Sequence, residues 1–584
     1  MGYFTYTTGT FNQVNSREVA NELLRESIAE TAVTAGGGDV FMAPRFRRLS
    51  RLIGETERWS SFAQAARDGK PIRWALRHPI HALRNPVVTL FAAGSEELEG
   101  SCQRMNATAS SIRESVARRQ ITNAIQGAME RDLYRPGYLE DKPYVRLLLR
   151  GAKIWLSTLN GGDERSSTDN REARWVEVTA LVHKSGVVQF TFSLNFPNDI
   201  SASAFTRMQY GSSAMISSVE LPEALLKHAP SWRWLAEGLP GEWREEREGT
   251  RWRRCFLPEK ISLSDLFDIY LEAFVNTAKV PISPDWMCHP CSFVERISCC
   301  DSEIDFRGAH QDEMKYMLTR YLPRGGDRSD RQSSISPPDT SLSMDHSVYM
   351  GGDKGLVINW PGFGAPTGYA SHLNHTVVAE SALLQWWQIR TINWRIANTT
   401  TSLRAIEAVQ EAAIFGLREY RDPPLSYGTA NDVAQSLLRE WRADALYGYT
   451  IESLEQLQQL ASTAESQRAA KRANGLAASA IAATVILGMP AIEETLAAIR
   501  KVPGSGFVGS TVAPMKRLAE GGQSAVWVCY IMLICGVAII SLLRTRKQAW
   551  RKVKNPRSKK VGIRWPYGSV EITVVDSDGN PRGR

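Results

Sequence analysis

Hydrophobic and polar positions change period twice along the chain. Trp175 to Val182 and Val187 to Leu194 are two runs rich in β-branched and aromatic residues. The turn residues Lys184-Ser185-Gly186 join them, which predicts a β-hairpin. Ser347 to Met350 and Leu356 to Asn359 flank Gly351-Gly352-Asp353-Lys354-Gly355 and predict a second. Amphipathic stretches such as Leu263 to Thr277 lie between them, so residues 143–379 read as a domain of the α+β or α/β kind. Gly161 to Arg171 and Arg324 to Ser343 read as polar flexible insertions. Residues 1–142 read as mainly helical, with Asn15 and Glu18 spaced as a capping box for a helix carrying Val19, Leu23, Leu24 and Ile28.

From Val377 the period is helical, and residues 380–473 read as a stalk. One helix is predicted from Val378 to about Tyr420, then a turn at Pro423-Pro424, then a long helix from about Ala430. In the latter, Tyr447, Leu454 and Ala461 share one heptad position, and Thr450, Leu457 and Ala464 the other, a coiled-coil seam. Two apolar runs close the pattern. Gln523 to Leu543 has 21 uncharged residues, enough to cross a hydrocarbon core of about 30 Å. Gly475 to Ile492 has 18 and is Ala-rich. Residues 474–543 are therefore expected to form a two-helix transmembrane hairpin with an external loop over 493–522.

Charge orients that hairpin. Arg544 to Lys560 carries nine Lys or Arg and no acid, which places the tail 544–584 in the cytosol, with Arg544, Arg546, Lys547, Arg551 and Lys552 against an anionic leaflet. The N-terminal MGYFTYTTGTFNQVN lacks the charged and apolar regions of a signal peptide, so both termini are expected to be cytoplasmic in an integral membrane protein. The same tail accounts for the formal charge of +8, and the remainder is near neutral, so composition makes no case for nucleic acid. Residues 45–84 hold ten Arg or Lys against three acids and read as a solvated basic face.

Candidate chemistry is sparse. Cys288-His289-Pro290-Cys291 with Cys299-Cys300 offers the thiolates that a tetrahedral zinc requires, so Cys288, Cys291, Cys299 and Cys300 are the candidate metal ligands. Gly504-Ser505-Gly506-Phe507-Val508-Gly509 matches GxGxxG but follows Pro503 rather than a strand, and reads as a flexible loop. No phosphate-binding loop, zinc-protease, nucleophile-elbow or kinase motif set occurs, so no enzyme is expected. Gly475 with Ser479, and Thr484 with Gly488, give the first run a small-residue face.

An α/β domain, a long helix entering the first of two spans, and a very basic tail: this order resembles the CorA family of divalent-cation channels. The Gly-Met of that family's Gly-Met-Asn falls on Gly488-Met489, with Pro490 in place of Asn. The resemblance implies a pentamer, a peripheral second span and a pore lined by Ser479, Thr484, Gly488 and Met489, with Glu493 and Glu494 at its mouth. The expected function is a diverged ion channel or ligand-gated pore. The alternative is a membrane-tethered binding or signalling module, its soluble ligand or protein partner unspecified.

Overall fold

The computed structural model describes residues 1–10, 13–44, 122–156, 173–196, 200–209, 216–237, 243–247, 250–319, 337–341, 344–360, 369–399, 403–426 and 428–487, and a few single positions elsewhere. Two units divide the chain, Met1–Gln459 and Leu460–Arg584.

Among the described residues, the first unit is built on one sheet of 13 strands. They are β1 (Gly2–Thr10), β2 (Ala29–Thr34), β3 (Val40–Met42), β4 (Tyr144–Leu149), β5 (Ala152–Leu156), β6 (Arg174–His183), β7 (Val187–Leu194), β8 (Ile216–Pro222), β9 (Trp243–Arg247), β10 (Thr250–Ile261), β11 (Ile282–Val294), β12 (His346–Gly351) and β13 (Lys354–Asn359). Their order is β12-β13-β11-β1-β7-β6-β5-β8-β10-β9. The sheet forks at β6, whose first half pairs with β5 and whose second half pairs with β4, which leads to β2 and β3. Among the described strands only β11 and β13 pair in parallel. Both predicted hairpins are present, as β6–β7 and β12–β13. Residues 1–42 contribute three strands to this sheet, which corrects the expectation of a mainly helical N-terminal region. The basic segment 45–84 lies outside the described residues apart from Arg77.

Strand alternation sorts the core into two faces. Phe4 and Tyr6 of β1, Phe190 and Phe192 of β7 and Ile358 of β13 join one apolar cluster. The helices Ser16–Arg25 and Leu263–Ala278 cover this face. Asn15 accepts a hydrogen bond from the Glu18 amide as its cap. Ser262 and Asp265 form a reciprocal capping box that fixes the start of the second helix. Tyr6 stacks on Phe267 at 4.4 Å, and Phe190 meets Phe274 edge-on at 5.5 Å. The intervening residues, Tyr3, Phe293 and Val357, join a cluster on the other face. There the helix Tyr369–Asn398 lies along β1 and β7. Gly9 permits this approach: a Cβ at that position would clash with Thr391 Oγ1.

The stalk is not one rod. The helix expected over 378–420 is Tyr369–Asn398, Leu403–Gly416 and Arg418–Arg421. The next helix, Gly428–Glu440, stops before Arg442, whose φ of +54° breaks the ladder; a helix then runs Ala443–Leu487. The expected seam begins inside the protein's own core, since Tyr447 and Leu454 pack on the second cluster and Thr450 is fully buried.

No helix among the described residues is long and apolar enough to cross a membrane. That finding corrects the fold expected for the C-terminal part, and with it the integral-membrane localisation and the transmembrane, CorA-like channel and ion-transport reading. Arg468, Lys471 and Arg472 precede Gly475 on the helix Ala443–Leu487, so charge runs close up to the described part of the first apolar run, whose remainder from Gly488 lies outside the described residues. Apart from single positions, the run Gln523–Leu543, the loop 493–522 and the tail lie outside the described residues.

Candidate ligand pocket

Three distant chain segments meet around a cavity of about 690 Å³, within the size range of small-molecule sites. One wall is Arg135, Gly137, Tyr138, Asp141 and Pro143. The β6–β7 turn supplies His183, Lys184 and Ser185, and the third wall is Phe415, Arg418, Glu419 and Asp422. Gly186 closes the turn with a φ of +94°, which explains the glycine.

Backbone bonds hold the walls together. The Arg135 amide donates to the Pro424 carbonyl at 2.9 Å and the Ser426 amide to Leu133 at 2.7 Å, while the Lys184 amide donates to Pro143 at 2.9 Å. Arg395 donates to the Ser185 carbonyl at 2.7 Å, fixing the turn from the helix behind it.

The floor is a buried polar pair. His183 Nε2 stands 2.9 Å from Glu419 Oε1. The Ser185 amide donates to His183 Nδ1 at 3.1 Å, which makes Nδ1 the acceptor. Ser185 Oγ also lies 2.7 Å from Nδ1. Tyr138 donates to Glu419 Oε2 at 3.3 Å. Burial, and then the Glu419 charge, push the Tyr138 phenol well above its ordinary range, so it remains a donor.

The rim is different in kind. Arg135 pairs with Asp422 at 2.6 Å, and Arg418 with Asp141 at 3.1 Å, all with exposed side chains. The hydrogen bond from Arg135 holds the Asp422 carboxyl below its usual range. Lys184 donates to the Asp141 carbonyl at 2.5 Å. Phe415, 59% exposed, gives the mouth an apolar edge.

Behind this pocket, on the helix-covered polar side of the sheet, lies a second charged group. Arg146 of β4 reaches Glu130 at 3.0 Å and Glu380 at 2.9 Å, and all three are buried. Thr191 donates to Glu380 at 2.6 Å, and the Gly36 amide to Glu130 at 2.8 Å. Burial works against the Arg146 charge, but Glu380 and Glu130 outweigh it and raise its pKa well above normal.

The sequence candidates are placed as follows. Cys288 and Cys291 are three apart on β11, so they fall on opposite faces: Cys288 packs on the first cluster and Cys291 joins the second. They do not form a shared site with Cys299 and Cys300. Ser479 is exposed and donates to the Leu476 carbonyl; Thr484 lies in the same helix. Glu494 is exposed, and Gly488, Met489, Glu493, Arg544, Arg546, Lys547, Arg551 and Lys552 lie outside the described residues. Arg135, His183, Arg418 and Glu419 carry no signal in local spacing, since they converge only through the tertiary fold.

Comparison with family models, with curated proteins and with solved structures returns no match.

Proposed function

We propose that this protein is a binding or sensing module, without catalytic chemistry of its own, that takes a small anionic ligand carrying an aromatic or apolar group. One observation carries the reading: two exposed guanidiniums, Arg135 and Arg418, face a cavity whose floor is rigid and whose edge is apolar. Exposed ion pairs contribute little stability, so a ligand carboxylate or phosphate displaces Asp141 or Asp422 at small cost. Arginine then offers the incoming anion a bidentate fork. Tyr138 and Phe415 supply surface for a flat apolar group.

A thermal-shift panel of aromatic carboxylates and nucleoside monophosphates tests this. At least one member is expected to raise the melting temperature of the wild type and not of the R135Q/R418Q variant. A panel without effect, or with equal effect on both proteins, refutes the proposal.

The 2.7 Å contact of Ser185 Oγ with His183 favours a second reading, a Ser185–His183–Glu419 relay for acyl transfer. Against it, the Ser185 amide already occupies the Nδ1 lone pair that a base needs. Labelling of Ser185 by a fluorophosphonate, lost in S185A, would establish the relay in place of the binding reading.

A further inference from the structure

The chain leaves β11 at Val294 and enters the helix Glu303–Ala309, and in this connection a different set of ligands assembles from the one the sequence offers. The sulfurs of Cys299 and Cys300 and an imidazole nitrogen of His310 all lie within 4.8 Å of one another. Adjacent cysteines cannot share a site on a strand, where their side chains diverge, but this segment is a bend and the restriction lapses. We propose that Cys299, Cys300 and His310 bind one zinc-class divalent cation, with the fourth tetrahedral position open to solvent.

The chemistry of the three donors fits. Two thiolates and one imidazole are the donor types of protein zinc sites, and tetrahedral zinc brings such atoms to about 3.5–3.8 Å apart, a closure of about 1 Å here. Three protein ligands plus a water is the open arrangement. Cys299 is exposed and gives the ion its route in, while Cys300 is 8% exposed and anchored in the first core cluster. His310 is held by its amide, which donates to the Phe306 carbonyl at 2.7 Å, and by its ring against Phe306 at 5.1 Å. Phe306 is itself buried. Ser302 caps the intervening helix and bonds Asp305 at 2.6 Å.

A divalent ion takes the two thiols as thiolates and releases their protons to solvent.

The test is a cobalt titration of the reduced, untagged full-length chain. One Co²⁺ per chain is expected, with thiolate-to-metal charge-transfer absorption and the intense visible bands of a four-coordinate site, and Zn²⁺ should displace it, being the tighter binder of the two. C299S, C300S and H310Q should each weaken binding tenfold or more. C299S is at an exposed position and is expected to keep the fold. C288S/C291S should bind as the wild type does. Absence of the bands, their survival in C299S/C300S, or their loss in C288S/C291S with an unchanged circular dichroism spectrum would overturn the assignment.

Discussion

The buried cluster Glu130–Arg146–Glu380 and the pocket rim Arg135–Asp422 and Arg418–Asp141 use the same residue types at similar distances, yet they do opposite work. In the cluster every charge is out of water, so each carboxylate depends on one guanidinium and none of the three can leave. At the rim water substitutes for any partner, so the pairs hold little and exchange readily. Burial, not pairing, separates a structural network from a recognition surface. The polar side of the sheet as a whole follows the first pattern: Gln189 donates to the Glu380 carbonyl at 2.9 Å, and Thr5 and Thr191 meet at 3.1 Å.

The largest effect is expected at the cluster. Arg146→Ala strands Glu130 and Glu380 and should lower the free energy of unfolding by about 3–5 kcal/mol in urea titrations. Replacing all three together, as E130L/R146M/E380L, should recover most of that loss, because no charge remains buried. If the triple variant is no more stable than Arg146→Ala, the cluster is not the self-contained unit described here.

A smaller effect tests how closely the helix Tyr369–Asn398 sits on the polar face. Gly9→Ala places a methyl against Thr391 and should cost about 1–3 kcal/mol. The G9A/T391A pair should be more stable than Gly9→Ala alone. Additive losses would show that the contact is loose.

Two half-buried ionisable groups should give opposite pH slopes. His375 is pushed down from 6.5 to about 4 by burial and by His346 and His372. Between those values the unfolded chain binds the extra proton, so its contribution to stability is lost as pH falls from 6.5 toward 4, by at most about 3 kcal/mol. Asp268 is pushed up from 3.8 to about 7 by burial and by Asp265. There the folded chain holds the proton, and the contribution is lost as pH rises toward 7. Melting curves should show a weaker acid loss for His375→Gln and a steeper one for Asp268→Asn. Equal slopes in both variants would contradict these environments.

Local chemistry was legible and long-range chemistry was not. Lys184-Ser185-Gly186 marks its hairpin because the turn needs a residue tolerant of the +94° φ at Gly186, Gly351 to Gly355 marks the other because its small and polar residues interrupt two apolar runs, and the Asn15 cap is a contact three residues long. β1 was missed because its GYFTYTTGT alternation of aromatic and Thr has no flanking partner in sequence, since its neighbours are β7 and β11. The unbroken stalk failed at Arg442, whose left-handed backbone has no sequence mark, and the seam at Tyr447 and Leu454 packs inward on the same chain. Cys288 and Cys291 looked like a knuckle because spacing alone does not say that they lie on a strand. His183 and Glu419 are far apart in the chain, and nothing short of the fold brings them to 2.9 Å.

The smallest expected effect on stability belongs to the rim, and it carries the most about function. R135Q/R418Q should melt with the wild type while losing the ligand. The direct measurement is calorimetric titration of both proteins with the aromatic carboxylates and nucleoside monophosphates. A single saturable site in the wild type, absent from an equally stable R135Q/R418Q, is the result predicted here. Binding that survives in the variant, or a wild type that binds none of these anions, would contradict it.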